Sequence, residues 1–313
     1  MKPLLSIVTP AFNEAANLPE FHRRLSAALT GVEWEWIAVD DHSSDDSFGV
    51  LTALAKGDAR VRGVRLQRNF GSHAAIACGL AQARGDAAVV LATDLQDPPE
   101  LAAQMLARWR DGVQIVWAVN SRPPPDQGLA DRTMSRLYHF TMRRIAGLRE
   151  LPPPGADAFL IDRTLMAALE QCGESHTNIF VLLAWIGGRQ TEVVFEKQAR
   201  RAGRSGWMWK KKIELLVDSV TAFSYAPLRA MTALGALTAL AGCVYAGIVV
   251  ANAIAGKPPA GWSSLMVAGL LVSGCQMLML GVLGEYIGRA LREARHRPRY
   301  LIQELIGPAT PEP

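Results

Sequence analysis

Cysteine is scarce: the chain has four in 313 residues, Cys78, Cys172, Cys243 and Cys275, and none stand at metal-ligand spacing. Two of them fall inside apolar segments, so neither a thiolate zinc site nor a disulfide framework is expected, and a reduced compartment fits. The amino-terminus, Met1–Leu5, lacks the basic stretch and long apolar core of a secretory leader, so the part that follows is expected to stay in the cytosol. Aromatic residues make up only 7% and do not interleave with the basic ones, which removes nucleic acid from the expected partners. No internal repeat is visible. Charge is missing where it matters most: Met231–Ile254 carries none over its whole length, and Leu265–Ile287 carries only Glu285.

Each of those two runs exceeds the roughly 20 residues that cross a bilayer. Half of the residues are hydrophobic and mean hydropathy is +0.11, an excess concentrated after residue 230. The net charge of +4 is modest, but its placement is informative. Arg200, Arg201, Arg204, Lys210, Lys211, Lys212 and Arg229 precede the apolar runs, and Arg289, Arg292, Arg295, Arg297 and Arg299 follow them. The loop between the runs, Ala255–Ser264, has a single Lys257. Positive flanks stay inside, so both termini are expected in the cytosol and the loop outside, with the chain multi-pass in a cytoplasmic membrane. Just before the first run, Trp209, Ile213, Leu216, Val217, Val220 and Phe223 recur at three- and four-residue steps. This predicts an amphipathic helix suited to a membrane interface.

From residue 4 to about 120, short apolar runs alternate with amphipathic stretches. Leu4–Thr9, Trp36–Asp40, Val61–Gln67, Ala87–Thr93 and Ile115–Ala118 are expected strands, and Asn17–Leu29, Ser47–Ala55, His73–Ala83 and Pro99–Arg110 expected helices. A β-α-β-α series of this kind gives a mostly parallel, Rossmann-like sheet covered on both faces, with ligands at the carboxyl ends of the strands. Pro123–Pro125 and Pro152–Pro154 bracket a further expected helix, Asp131–Ile145, in loops around a site. The layout is thus an α/β catalytic domain over 1–205, an amphipathic juxtamembrane region over 206–229, two spans over 230–288 (about 231–254 and 265–287), and a basic tail over 289–313.

Three strand ends carry acids: Pro10-Ala11-Phe12-Asn13-Glu14, Asp40-Asp41-His42-Ser43-Ser44-Asp45 and Asp94-Leu95-Gln96-Asp97-Pro98-Pro99-Glu100. A carboxylate at such an end can take hydrogen bonds from a ribose or a base. Asn17 and Asp45 are equally explained as helix caps. An acid followed two positions later by another oxygen-bearing side chain can hold a hard divalent cation bridging a diphosphate. Asp97 and Glu100 are read as an ordinary helix start, with proline in the first turn and acids facing the macrodipole. Asp94 lies too far upstream for that.

The order and spacing of these ends resemble family 2 glycosyltransferases of GT-A fold, and more narrowly the polyprenyl-phosphate group that includes dolichyl-phosphate mannose synthase and the GtrB-type and ArnC-type enzymes. The resemblance covers nearly the whole chain, through Asn69-Phe70-Gly71, Arg200-Arg201-Ala202-Gly203-Arg204-Ser205-Gly206-Trp207, Phe223-Ser224 and Gly281-Val282-Leu283-Gly284-Glu285-Tyr286-Ile287-Gly288-Arg289. It implies inverting transfer of a sugar from a UDP- or GDP-sugar to undecaprenyl phosphate or a similar polyprenyl phosphate, at the membrane, by a homo-oligomer using Mg²⁺ or Mn²⁺. Pro10, Phe12, Glu14, Asp41, Asp94, Leu95 and Gln96 would hold the donor, with Asp94 and Gln96 at the metal. Arg200, Arg204 and Ser205 would hold the acceptor phosphate, and Asp94, Asp157 and Arg200 would carry the chemistry. The chain departs from the pattern at Ala158-Phe159, where Phe-Arg is usual, at His42, where glycine is commonest, and at Lys197, where arginine is frequent. A processive polysaccharide synthase is disfavoured, because the only Gln-x-x-Arg-Trp look-alike, Gln104 to Trp109, has the wrong spacing. A family 2 glycosyltransferase with another acceptor and a non-catalytic membrane scaffold retaining the fold are the remaining alternatives.

Overall fold

A computed structural model of the chain describes residues 3–121, 142, 144, 151, 156–172, 178–198, 224–255 and 261–307. By contacts they fall into two units: a sheet unit formed by the amino-terminal part together with residues from Pro298 on, and a second unit formed by residues 224–255 and 261–297.

The sheet unit contains β1 (Leu4–Ala11), α1 (Leu18–Ala28), β2 (Glu33–Asp40), α2 (Ser47–Gly57), β3 (Val61–Leu66), α3 (Ser72–Ala81), β4 (Ala87–Val90), α4 (Leu101–Arg110), β5 (Ile115–Asn120), β6 (Ala156–Asp162), α5 (Arg163–Gln171), α6 (Ile179–Ile186) and β7 (Gln190–Phe195). A last strand, β8 (Ile302–Ile306), completes it; α7 (Ala226–Ile254) and α8 (Trp262–Ala294) form the second unit. The strand order is β7-β5-β6-β4-β1-β2-β3-β8. β4, β1, β2 and β3 run parallel, as do β5 and β7, whereas β6 is antiparallel to β4 and β5, and β8 to β3. The expected α/β sheet is therefore present, mostly parallel and mixed.

Alternation along the strands feeds two cores. Leu5, Ile7, Trp36, Ala38, Val116 and Leu160 face α1, α2 and α4, through Leu18, Phe21, Leu51 and Met105. Val8, Ile37, Val39, Trp117, Phe159 and Ile161 face α3, α5 and α6, through Ile76, Met166 and Leu182. All of these are under a tenth exposed, so the sheet is covered on both sides. Parallel order places the ends of β1, β2 and β4 at one rim, where the strand order turns around β1 and a crevice must open.

Expected and observed boundaries differ by a few residues for most elements, and for β4 by three, because Leu91–Thr93 leave the ladder after the Leu91 amide donates to the Val8 carbonyl (3.1 Å). The segment expected as a basic tail divides instead: α8 continues to Ala294, and Ile302–Ile306 becomes the edge strand beside β3. A five-residue strand beyond two long apolar runs carries too little periodicity to be seen. The expected helix over 131–145 and the amphipathic helix over 209–223 lie outside the described residues, apart from Met142 and Arg144, both helical.

In the second unit, α7 and α8 are each long and apolar enough to cross a membrane, over Pro227–Asn252 and Leu271–Ala294, with mean hydropathies of 2.0 and 1.3. Neither stretch is buried by protein, and Leu237, Leu240, Leu271 and Leu278 are well exposed. That is the surface of a helix made for lipid, since the core helix of a water-soluble domain hides its apolar side. Gly235 lets α7 approach Met279 of α8, while Gly242 and Gly274 meet nothing within 4 Å. The Tyr286 hydroxyl donates to the Ser224 carbonyl (2.7 Å), tying α8 to the start of α7.

Candidate active site

The ends of β1 and β2 are clasped by side chains. Asn13 takes a left-handed backbone (φ 58°), which asparagine tolerates. Its amide donates to Ser43 Oγ (2.9 Å), and its Oδ1 accepts from the Ser44 amide (2.9 Å) and hydroxyl (3.1 Å). The Glu14 amide donates to Ser47 Oγ (2.8 Å), and the Glu14 carboxylate accepts from Asn17 Nδ2. Asn17 therefore makes no side-chain cap for α1. Asp45 accepts from the amide and hydroxyl of Ser47 and from the Ala15 amide, which bridges the two loops. Pro10 is half-buried, and Phe12 projects with 48% of its surface open, a ring free to stack on a flat ligand.

Asp41 is buried, and its two oxygens accept the amides of Phe70 (2.7 Å) and Gly71 (2.8 Å). Burial raises its carboxyl above the usual range, and those two amides only partly offset it. Asp41 thus fixes the loop ahead of α3 as well as lining the rim. Next to it His42 adopts φ 61° and its Nδ1 lies 3.2 Å from the Leu66 carbonyl, so the departure from glycine is accommodated.

The β4 end is joined to β1 by the Thr93 hydroxyl, which donates to the Pro10 carbonyl (3.2 Å). Asp94 is nearly buried, and one of its oxygens accepts the Gln96 amide (3.1 Å). Between them Leu95 is forced to φ 61° with its side chain buried. A bulky residue held there costs on the order of 1–3 kcal/mol, and such strain persists where surrounding structure over-determines a turn. The turn is held from the far side by the Gln198 amide, which donates to the Gln96 carbonyl (2.9 Å).

Asp97 differs from its expected role. It is 2% exposed, one of its oxygens has no hydrogen-bond partner, and burial pushes its carboxyl up to about 7, with Asp157 and Asp94 adding to the rise and Lys197 opposing it. An acid at a solvated helix start would be exposed, as Glu100 is; Glu100 instead takes a two-pronged contact from Arg24 (3.0 and 2.7 Å). Asp157, the second residue of β6, stands at this rim because β6 runs antiparallel to β4, and Lys197 Nζ lies 2.8 Å from its Oδ2. Burial alone would lower the Lys197 ammonium, but Asp157, Asp97 and Asp94 together hold it above its usual value.

The structure therefore brings Pro10, Phe12, Glu14, Asp41, Asp94, Leu95, Gln96 and Asp157 to one rim. Arg200, Arg204 and Ser205 lie outside the described residues. Asp97 and Lys197 are the additions, and their proximity to Asp94 in sequence and to Arg200 respectively was the available signal. Among the described residues no three His, Cys, Asp or Glu side chains converge to hold a cation by themselves. Mg²⁺ and Mn²⁺ commonly use one or two carboxylates plus substrate phosphates, and hard oxygens at Asp94 with an unpartnered buried oxygen at Asp97 suit such an ion.

A mixed sheet with acids at its parallel strand ends is the architecture of a GT-A glycosyltransferase. Residues 6–168 match the Glycosyl transferase family 2 model, and residues 226–290 match the GtrB C-terminal hairpin. A bactoprenol glucosyl transferase of Shigella phage SfV is 32% identical over 302 residues, spanning 96% of this chain and 98% of that protein. An undecaprenyl-phosphate 4-deoxy-4-formamido-L-arabinose transferase of Yersinia enterocolitica is 34% identical over 309 residues, 97% and 94% of the two chains. The glucosyl-3-phosphoglycerate synthase of Mycobacterium tuberculosis, crystallised with Mn²⁺, UDP-glucose and phosphoglyceric acid, shares the fold at 18% identity and a TM-score of 0.51, over 70% of this chain and 78% of that one. The chain belongs to glycosyl transferase family 2, in its polyprenyl-phosphate glycosyltransferase group.

Proposed function

We propose that the protein transfers one sugar from a nucleoside diphosphate sugar to a polyprenyl phosphate, with its sheet unit and both termini in the cytosol. The observation that carries this reading is the union, in one chain, of an acid-lined rim with a hairpin of two apolar helices. Its support comes also from relatives along nearly the full length that are named as bactoprenol and undecaprenyl-phosphate sugar transferases.

In this reading Phe12 stacks on the base, while Glu14 and Asp41 receive the nucleoside. Asp94 and Asp97, with Gln96, would hold Mg²⁺ or Mn²⁺, which when bound supplies positive charge against the diphosphate. A lipid phosphate is already anionic at neutral pH, so its oxygen attacks the anomeric carbon without a strong base. The carbon–oxygen bond to the diphosphate breaks as the new one forms, the nucleoside diphosphate leaves with the electron pair, and the anomeric centre inverts. Positioning and charge carry the rate. Lys197 holds Asp157 by an ion pair, which orients that carboxylate at the acceptor side. Arg200, Arg204 and Ser205 draw in the acceptor phosphate. Two copies or more packing through the hairpin complete the proposal.

The test is to offer the full-length protein, in detergent, undecaprenyl phosphate and a panel of radiolabelled UDP- and GDP-sugars. Label passing into the organic phase with one donor, only when the lipid is present, supports the reading and names the sugar. Hydrolysis without lipid labelling would refute the acceptor.

A further inference from the structure

Within the sheet unit, away from the rim just described, a cavity of about 360 Å³ opens between α3, α5 and the chain leading into β8. Its floor is apolar, made by Leu80, Met166 and Leu169, and its edge carries Arg163, Arg299, Glu170 and Tyr300. Arg163 stands where β6 ends: its amide donates to the Asp86 carbonyl (2.9 Å), just before the first residue of β4, so this is the end of β4 opposite Asp94. One Arg163 nitrogen donates to the Ala83 carbonyl (2.6 Å), which anchors the guanidinium and leaves the rest of its fork. The Arg299 Nη2 is buried and has no hydrogen-bond partner. Tyr300 is half-buried, and burial pushes its hydroxyl up to about 12, so it stays a donor at neutral pH.

A buried guanidinium nitrogen without an acceptor is costly, and an anion in the cavity would give Arg299 that acceptor, with the exposed Arg163 at the same cavity's edge. Planar forks of this kind match phosphate oxygens in pairs. Glu170 sets the charge: two guanidinium groups and one carboxylate leave the cavity one unit positive, which balances the single charge of a phosphodiester better than the two of a phosphomonoester. The cavity is several times larger than a phosphate, and its floor of leucine and methionine suits an esterified body. Arg299 follows Ala294, the last residue of α8, by five positions, so the wall of the cavity is continuous in sequence with that long apolar helix.

We propose that this cavity is a binding site for a phosphodiester headgroup, separate from both the donor and the acceptor of the transfer reaction. The ligand is the head of an anionic phospholipid or a soluble phosphodiester of the same charge. The inference does not depend on which sugar or acceptor the rim uses.

The experiment follows amide hydrogen exchange of the full-length protein in phosphatidylcholine nanodiscs, with and without phosphatidylglycerol, over 163–170 and 299–301. Doping with phosphatidylglycerol is expected to slow exchange there at least threefold in the wild type and not in Arg163→Gln/Arg299→Gln. A second variant, Ala167→Tyr, fills the cavity with both arginines kept and should lose the protection equally. If millimolar glycerophosphoglycerol added to undoped discs protects as well as the lipid, the source is a soluble phosphodiester. No protection by either compound, or equal protection in both variants, overturns the site.

Discussion

Asp97 keeps a carboxyl where water does not reach and where Asp94 and Asp157 are its neighbours, and the consequence is a stability that depends on pH. Its folded value of about 7 stands above the ordinary 3.8, so the folded state binds the proton more tightly than the unfolded one. The contribution of this one carboxyl to stability is full below about pH 4 and is lost as pH rises through 7. Without divalent cation, Asp97→Asn is expected to unfold at a higher temperature than the wild type at pH 8. Differential scanning calorimetry across pH 4–8 should show the gap closing toward pH 4; a constant gap would contradict the assignment. Adding Mn²⁺ with a nucleoside diphosphate should narrow the gap at pH 8, because the wild-type carboxylate then has a cation to face. Lys197→Met is expected to lose roughly tenfold in kcat/KM, about 1.4 kcal/mol, since the Asp157 carboxylate loses its partner. Lys197→Arg should restore most of it in the same kinetic assay. The acids at Glu14, Asp41 and Asp94 were legible because each sits at the end of an apolar strand. Asp97 was not, since proline and glutamate after it imitate a helix start, and only the packed turn around Leu95 reveals that it points inward.

At the scale of elements, the alternation of short apolar runs with amphipathic stretches located five strands and four helices, because each carries its own period over enough residues. The antiparallel half was less legible. Ala158–Ile161, the middle of β6, is apolar on both faces, since it is buried between β4 and β5 with helices on either side, and so short a run has no period to read. Ile179–Ile186 is apolar at every position, with five of its residues buried and Trp185 exposed, so it too shows no period. One junction gives a sharp test. Gly85, just before β4, has its amide on Ser6 Oγ (2.9 Å), and a Cβ there would lie 2.7 Å from the Leu4 carbonyl oxygen and the Ser6 amide nitrogen. Backbone cannot move aside as a side-chain tip can. Gly85→Ala is expected to cost more than about 2 kcal/mol in chemical denaturation, which exceeds an ordinary surface change. A value within about 0.5 kcal/mol of wild type would show that β1 and β4 are not packed as described.

For the whole molecule, the chain leaves the sheet unit, forms the α7–α8 hairpin, and returns to lay β8 against β3. The return explains why the hairpin is not a detachable anchor. A chain ending at Ser224 loses β8 and leaves the edge of β3 unpaired, a template for association. Such a truncation is expected to aggregate in size-exclusion chromatography, whereas a chain with the hairpin replaced by a long Gly/Ser linker into Pro298–Gly307 should stay dispersed. Equal behaviour of the two would mean that β8 adds nothing to the sheet unit. The two spans were legible from the absence of charge alone, and the return strand was hidden by its brevity. In the proposed function the acid-lined rim and the hairpin serve one reaction, sugar transfer to a membrane lipid phosphate. The most direct measurement is mass spectrometry of the lipid extract after full-length wild type and Asp94→Ala are incubated with undecaprenyl phosphate, Mn²⁺ and the donor panel. The wild type is expected to give an undecaprenyl phosphate carrying one added sugar, and Asp94→Ala at least ~100-fold less, the scale seen when an electrostatic contact to the leaving group is removed. A glycosylated lipid formed equally by both proteins, or by neither with any donor, would contradict it.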